Sequence, residues 1–291
     1  MAKIISVVNF KGGVAKSTTV FNLAAALWMC GKRVLIIDAD PQYELTTRMG
    51  FYASGVDTLF EWLLSEGSKE GIEAPVYNRY ADDNNFCFIP SSPKVSNIEQ
   101  ALLLRPNRFD SPYYILKNLL KKIRMDFDYI FVDCPPSPGF MNKMALLASD
   151  ELIIPIECAG ESIDGLIKLE SVIKGVKEEA NPDLRVLGYL LTMYNDRTRI
   201  TRKIKEEISS EGLLLPVKIR SSIKFKEAGM FYKNIFEYDP NGNGAEDYMA
   251  LAEHLFGIKR PDNWKTVSAE YWDKYIGSQE EEDTVNEEVK S

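Results

Sequence analysis

The chain holds a single histidine, His254, in 291 residues. A zinc site built on imidazoles, or a serine–histidine relay, therefore has little to work with. Cysteine is sparse as well: Cys30, Cys87, Cys134 and Cys158 are widely spaced and form no C-x-x-C pair. That spacing favours a reduced, cytoplasmic set of thiols over a disulfide framework. No apolar run approaches the roughly 18 residues needed to span a bilayer. The first strand begins almost at Met1, which leaves no room for a signal peptide, so a cytoplasmic location is expected. Net positive charge is also lacking. Asp and Glu number 43 against 35 Lys and Arg, a balance of −8, which as a bare sum argues against nucleic acid.

What remains is an ordinary soluble composition, 45% apolar, in a chain long enough for one large core or two small ones. Its organising stretch is Asn9-Phe10-Lys11-Gly12-Gly13-Val14-Ala15-Lys16-Ser17-Thr18. An apolar run at 4–8 precedes it and reads as a buried strand; an Ala- and Leu-rich run at 19–28 follows it and reads as a helix. Strand, glycine turn, Lys-Ser and helix is the setting of a phosphate-binding loop. Backbone N–H groups and an open helix N-terminus converge there on an anion. Lys16 is placed to meet the outer phosphates, and the Ser17 hydroxyl to hold Mg2+.

The strict pattern G-x-x-x-x-G-K-[ST] is not met, because Phe10 and Ala15 stand where glycines would. The pattern that fits is K-G-G-x-x-K-[ST], with an extra lysine at its start. On these residues the chain resembles the ParA/MinD family of dimerising ATPases with a deviant Walker A loop, departing from K-G-G-V-G-K-[ST]-T only at Ala15. A left-handed backbone at that position would cost about 1 kcal/mol more for Ala than for Gly.

The resemblance implies ATP and Mg2+ bound over Lys11, Gly12, Gly13, Val14, Ala15, Lys16, Ser17 and Thr18. It also implies a homodimer in which Lys11 reaches the partner's ATP. A second buried run, 33–37, leads into Asp38-Ala39-Asp40-Pro41-Gln42, which matches the family's switch I. Asp40 is the expected orienter of the attacking water, and Asp38 a support for metal or loop. The run 129–132 ends at Asp133-Cys134-Pro135-Pro136, a Walker B strand tip and switch II, with Asp133 an expected Mg2+ ligand beside Ser17. Strands at 152–156 and 184–192 and a helix at 162–179 follow. At the end of the last strand Asn195 is a candidate for reading the adenine, with plain turn chemistry as its alternative.

Alternating helices and near-continuous apolar strands argue for one doubly wound, mainly parallel α/β sheet covered on both faces. The ATPase domain is expected over 1–258, and an aromatic helix with an acidic tail over 259–291. Within the ATPase domain, 43–110 is less informative. A helix is expected at 56–64, loop over 65–85, a strand at 86–90, and a further helix at 111–124.

Positive charge is concentrated between 196 and 228, where nine basic residues face five acidic ones. Arg197, Arg199, Arg202, Lys203, Arg220 and Lys224 are the candidates for binding DNA through its phosphates, without base reading; a solvated helix face is the alternative. The ParA branch implies non-specific DNA and a ParB-like adaptor as partners. A basic amphipathic tail for membrane binding, as in the MinD branch, is absent from a chain whose last thirteen residues carry six acids and one lysine. A membrane-positioning ATPase and a regulatory ATPase acting by protein binding alone are the other readings.

Overall fold

The computed structural model describes residues 1–66, 72–80, 83–104, 111–158, 163–195 and 213–266. Seven strands form one sheet in the order β3-β4-β2-β5-β1-β6-β7. They are β1 (Lys3–Val7), β2 (Val34–Asp38), β3 (Tyr77–Tyr80), β4 (Asp83–Ile89), β5 (Tyr129–Asp133), β6 (Glu151–Glu157) and β7 (Arg185–Thr192). All neighbours run parallel except β3, which pairs antiparallel with β4 at the edge. The expected doubly wound, mainly parallel sheet is what the chain forms.

Side-chain alternation assigns the two faces. Ile4, Leu35, Ile37, Ile130, Val132, Leu152 and Ile154 point into one core, while Ile5, Val7, Val34, Ile36, Phe131 and Ile153 point into the other. Both sets are buried, which is why these strands read as unbroken apolar runs. The first face is covered by α3 (Leu59–Ser65), α4 (Ile98–Leu103), α5 (Ile115–Ile123), α6 (Phe140–Ala148) and α7 (Ile163–Glu179). The second lies under α1 (Lys16–Met29), α2 (Glu44–Arg48), the short α9 (Ile235–Tyr238) and α10 (Asn243–Phe256). Between the sheet and α10, α1 is enclosed so fully that Val20, Leu23, Ala24, Ala26 and Leu27 are all completely buried. Each such Val or Leu contributes about 1.5–3 kcal/mol of burial. Helix α8 (Lys224–Met230) lies beside α9.

The residues expected as loop over 65–85 contain strand instead. Tyr77–Tyr80 is β3, and β4 starts at Asp83, before the expected strand at 86–90. An edge strand with one exposed face needs no apolar run, so Asn78, Arg79, Asn84 and Asn85 fit it. The helix expected at 111–124 begins with a 3-10 turn at Pro112–Tyr114 and becomes α5. The segment after 258 continues on the body: Trp264 is buried against Phe236, and the Arg260 guanidinium binds Glu246 and Glu253. The rest of that segment, from 267, lies outside the described residues, as does the basic stretch 196–212.

The chain moves from β1 to β2 on one side and, after β5, to β6 on the other. The strand order therefore reverses at β1, and a crevice opens beyond the carboxyl ends of β1, β5 and β6. In an open α/β sheet this is where ligands bind.

Candidate functional site

The loop after β1 fills that crevice. Gly13 takes φ 77°, a left-handed conformation natural only to glycine, and Ala15 takes φ 67°, ψ 34°. Ala15 stands in the N-cap position of α1, which has no side-chain cap and no acid in its first turn. The helix start is thus open to an anion. Two strands brace the loop. The Asn9 side chain accepts the Lys11 N–H (2.9 Å) and donates to the Pro155 carbonyl in β6 (2.7 Å). The Thr192 hydroxyl, at the end of β7, donates to the Val14 carbonyl (3.1 Å). Neither Asn9 nor Thr192 was indicated by the sequence as part of the site. An Asn at the start of the loop, free to form an Asx turn, was the available sign for the first.

Lys16 is buried, and its ammonium donates to the Lys11 carbonyl (3.1 Å). Burial lowers its pKa, against the pull of Asp133, Cys134, Asp40 and Glu44. Asp133, at the tip of β5, lies in register with Val7 of β1 and Asp38 of β2. Both its carboxylate oxygens are buried without a hydrogen-bond partner among the described residues. Burial and then Asp38 push the Asp133 carboxyl well up; the Ser17 hydroxyl and Lys16 draw it the other way without closing a bond of good geometry. A buried, unpartnered carboxylate is costly unless a cation meets it.

Asp38 has a different environment. Oδ2 accepts the Thr46 N–H (2.8 Å) and hydroxyl (2.7 Å), and Oδ1 accepts the Asp40 N–H (3.1 Å). Thr46 in turn accepts the Ser91 N–H (2.9 Å). Asp38 thus anchors the segment after β2 and α2 to the strand ends, and its burial lifts its pKa to about 7. Asp40 is half-exposed, and its Oδ1 accepts the Gln42 N–H (2.9 Å).

A cleft of about 320 Å³ opens over the loop. Gly12, Gly13, Ala15, Lys16, Ser17 and Thr18 form its floor, Asp40, Glu44 and Arg48 one wall, and Met193, Ile219–Ser222, Phe225 and Lys226 the other. Not every residue singled out from the sequence meets here. The Lys11 side chain is turned away from the cleft to Glu157 (3.1 Å) at the end of β6. Val14 is buried beneath the loop. Asn195, the adenine candidate, is exposed and is not part of the cleft wall; the wall there is made by Met193 and by the 219–225 segment, which the sequence did not single out for this role. That segment runs beside β7 through single bridges at Tyr189–Leu214 and Tyr194–Arg220, too slight a pairing to leave a strand pattern.

Of the basic residues, Arg197, Arg199, Arg202 and Lys203 lie outside the described residues. Arg220 is exposed at the edge of the cleft, where Asp247 holds it through Nε (3.0 Å) and Nη2 (2.6 Å). Lys224 binds Glu227 (2.9 Å) and lies over the Tyr238 ring. No cluster of three or more His, Cys, Asp or Glu able to hold a metal occurs among the described residues. No described helix is long and apolar enough to cross a membrane.

Comparison with known proteins agrees with this architecture. A family model described as an AAA domain matches residues 2–186. The chromosome partitioning protein ParA of Myxococcus xanthus is 33% identical over 264 residues, covering 90% of each chain. The chain belongs to the ParA family. The sporulation initiation inhibitor protein Soj of Bacillus subtilis is also 33% identical, over 88% of this chain and 98% of its own. Among solved structures, a cobyrinic acid a,c-diamide synthase from Mycobacterium smegmatis with bound ATP analogue and magnesium has a TM-score of 0.71. It is 30% identical, covering 90% of this chain and 99% of its own. Membership of the ParA family makes this a P-loop protein of the partitioning ATPases, matched from its first strand through β7 and beyond.

Proposed function

We propose that the chain is an ATP-dependent dimerising ATPase of DNA partition. In this reading the ATP-bound homodimer coats DNA non-specifically, is nucleoid-associated while ATP is bound, and is released when a ParB-like adaptor stimulates slow hydrolysis. The observation that carries it is the pairing of an uncapped α1, opened by Lys11–Thr18, with the buried and unpartnered Asp133 at the next strand tip. An anion and a cation are wanted side by side, as a metal–triphosphate supplies them.

Lys16 would leave the Lys11 carbonyl for the outer phosphates, and Asp40 would orient the attacking water. Asp38 keeps its place as the anchor of switch I. Ser17 and Asp133 would hold Mg2+, a cation that usually takes one or two protein ligands and leaves the rest to phosphate and water. Bound there, Mg2+ would neutralise charge developing on the phosphate oxygens. Lys11 would cross to the partner's ATP, which makes the dimer depend on nucleotide state.

Sizing the purified protein with ADP, ATP and a slowly hydrolysed analogue, with and without DNA, tests the reading. A dimer with ATP or the analogue but not ADP, retained on DNA in a salt-dependent way, is expected. The same subunit stoichiometry with every nucleotide overturns it.

A further inference from the structure

We infer that Glu157 is a positioning residue for Lys11, holding it away from the nucleotide cleft until ATP and a second copy draw it off. The role of Lys11 across the dimer rests on the function proposed above; the holding contact itself does not.

Three observations converge. First, the Lys11 ammonium lies 3.1 Å from Glu157 Oε2, with both side chains less than a third exposed. Such a pair is neither fully screened nor freely mobile. Second, the backbone supports the same direction: Asn9 joins the Lys11 N–H to the Pro155 carbonyl, two residues before Glu157 on the same strand. Third, the Lys11 carbonyl is the acceptor for the Lys16 ammonium, so the carbonyl faces the catalytic lysine while the side chain leaves towards β6. Both lysines of the loop are therefore occupied by the protein's own oxygens, one a carboxylate and the other a carbonyl. Glu157 itself is fixed at the end of β6, in register with Thr192, whose hydroxyl braces Val14. The holding group and the held loop share one rigid strand edge.

The consequence is a threshold. A lysine already paired with a carboxylate gives up that contact before it can meet a phosphate, so the ion pair opposes ATP-driven association by its own strength. It leaves ADP binding by one copy nearly untouched, because Lys11 is outside the cleft in either case.

Two measurements on the full chain test this. Brief labelling with an amine-reactive ester, read at Lys11 by mass spectrometry without nucleotide, should proceed roughly two- to five-fold faster in Glu157→Gln than in the wild type, the span expected for a partly exposed ion pair. Buried Lys16 serves as the internal reference. In light scattering, Glu157→Gln should reach half-dimerisation at a similarly lower concentration of a slowly hydrolysed ATP analogue, with unchanged ADP affinity. Glu157→Asp should restore wild-type behaviour in part. An unchanged labelling rate overturns the holding contact. Faster labelling with an unchanged or higher analogue requirement overturns its role as a threshold. A wild type that stays monomeric with the analogue overturns the dimerisation reading, and the role assigned to the pair with it.

Discussion

Ala15 shows how one side chain sets the character of the loop. At φ 67° it occupies the left-handed region, where the Cβ of an L-residue crowds the following carbonyl. Gly13 meets the same demand without penalty. Replacing Ala15 by Gly removes the crowding but loosens the unfolded chain, and at a left-handed site the first effect wins. Ala15→Gly should therefore stabilise the protein by about 1 kcal/mol, raising Tm by roughly 2 °C for a chain of this size. Calorimetry without nucleotide checks this, and a lower Tm would show that the loop relies on the methyl group. Lys16 makes the opposite test. It is buried, and burial lowers its pKa against the pull of Asp133, Cys134, Asp40 and Glu44. Lys16→Ala should abolish nucleotide binding in calorimetric titration while leaving the fold intact; near-normal affinity would contradict the phosphate-loop assignment.

At the scale of elements, the end of β2 is tied to α2 by one carboxylate. Asp38 takes both Thr46 donors, and Thr46 passes the link on to the Ser91 N–H after β4. Because the pKa of Asp38 is raised to about 7, the folded chain keeps this proton where the unfolded chain, near pH 4, has already lost it. Its contribution to stability thus falls as pH rises between about 4 and 7, and is level above that. Thr46→Val keeps the shape but strips one bond from Asp38 and orphans the Ser91 N–H, a loss of about 1–3 kcal/mol. The deficit should be larger at pH 8, where Asp38 is ionised and the lost bond is charge-assisted, than at pH 5; denaturant unfolding at both values decides it. Asp38 as a support for the loop was legible in the sequence, but its partners were not, since Thr46 and Ser91 share no local pattern with it and Ser91 joins only when β2 and β4 pair. The strands themselves were legible wherever both faces are buried: β1, β2, β5, β6 and β7 are apolar runs. The same holds for Phe86–Ile89 of β4, whereas β3 and the start of β4 were not legible, because Asn78, Asn84 and Asn85 are exposed and polar and mimic a loop.

At the scale of the whole molecule, the proposed function asks how a chain of net charge −8 would bind a polyanion. Charge has to be segregated, and the described part of the basic stretch divides into two kinds. Arg220 is as exposed as Lys224 but is held by Asp247 through both Nε and Nη2 in the wall of the cleft. Lys224 is paired through its ammonium alone, with Glu227 at 2.9 Å on the same helix, and is nearly half exposed. For DNA bound through phosphates, affinity falls with salt at a slope of about 0.9 for each phosphate neutralised. Replacing Arg199, Arg202 and Lys224 by Gln should then flatten the slope by up to roughly three per protomer, with ATP-dependent dimerisation intact. Arg220→Gln should leave the slope as it is and lower stability instead, since it abandons Asp247 in a half-closed ion pair. Filter retention of ATP-loaded protein on non-specific DNA across a salt series separates the two. An equal flattening by Arg220→Gln would return that arginine to the DNA-facing surface, and an unaltered slope in the triple variant would remove this stretch from DNA binding altogether.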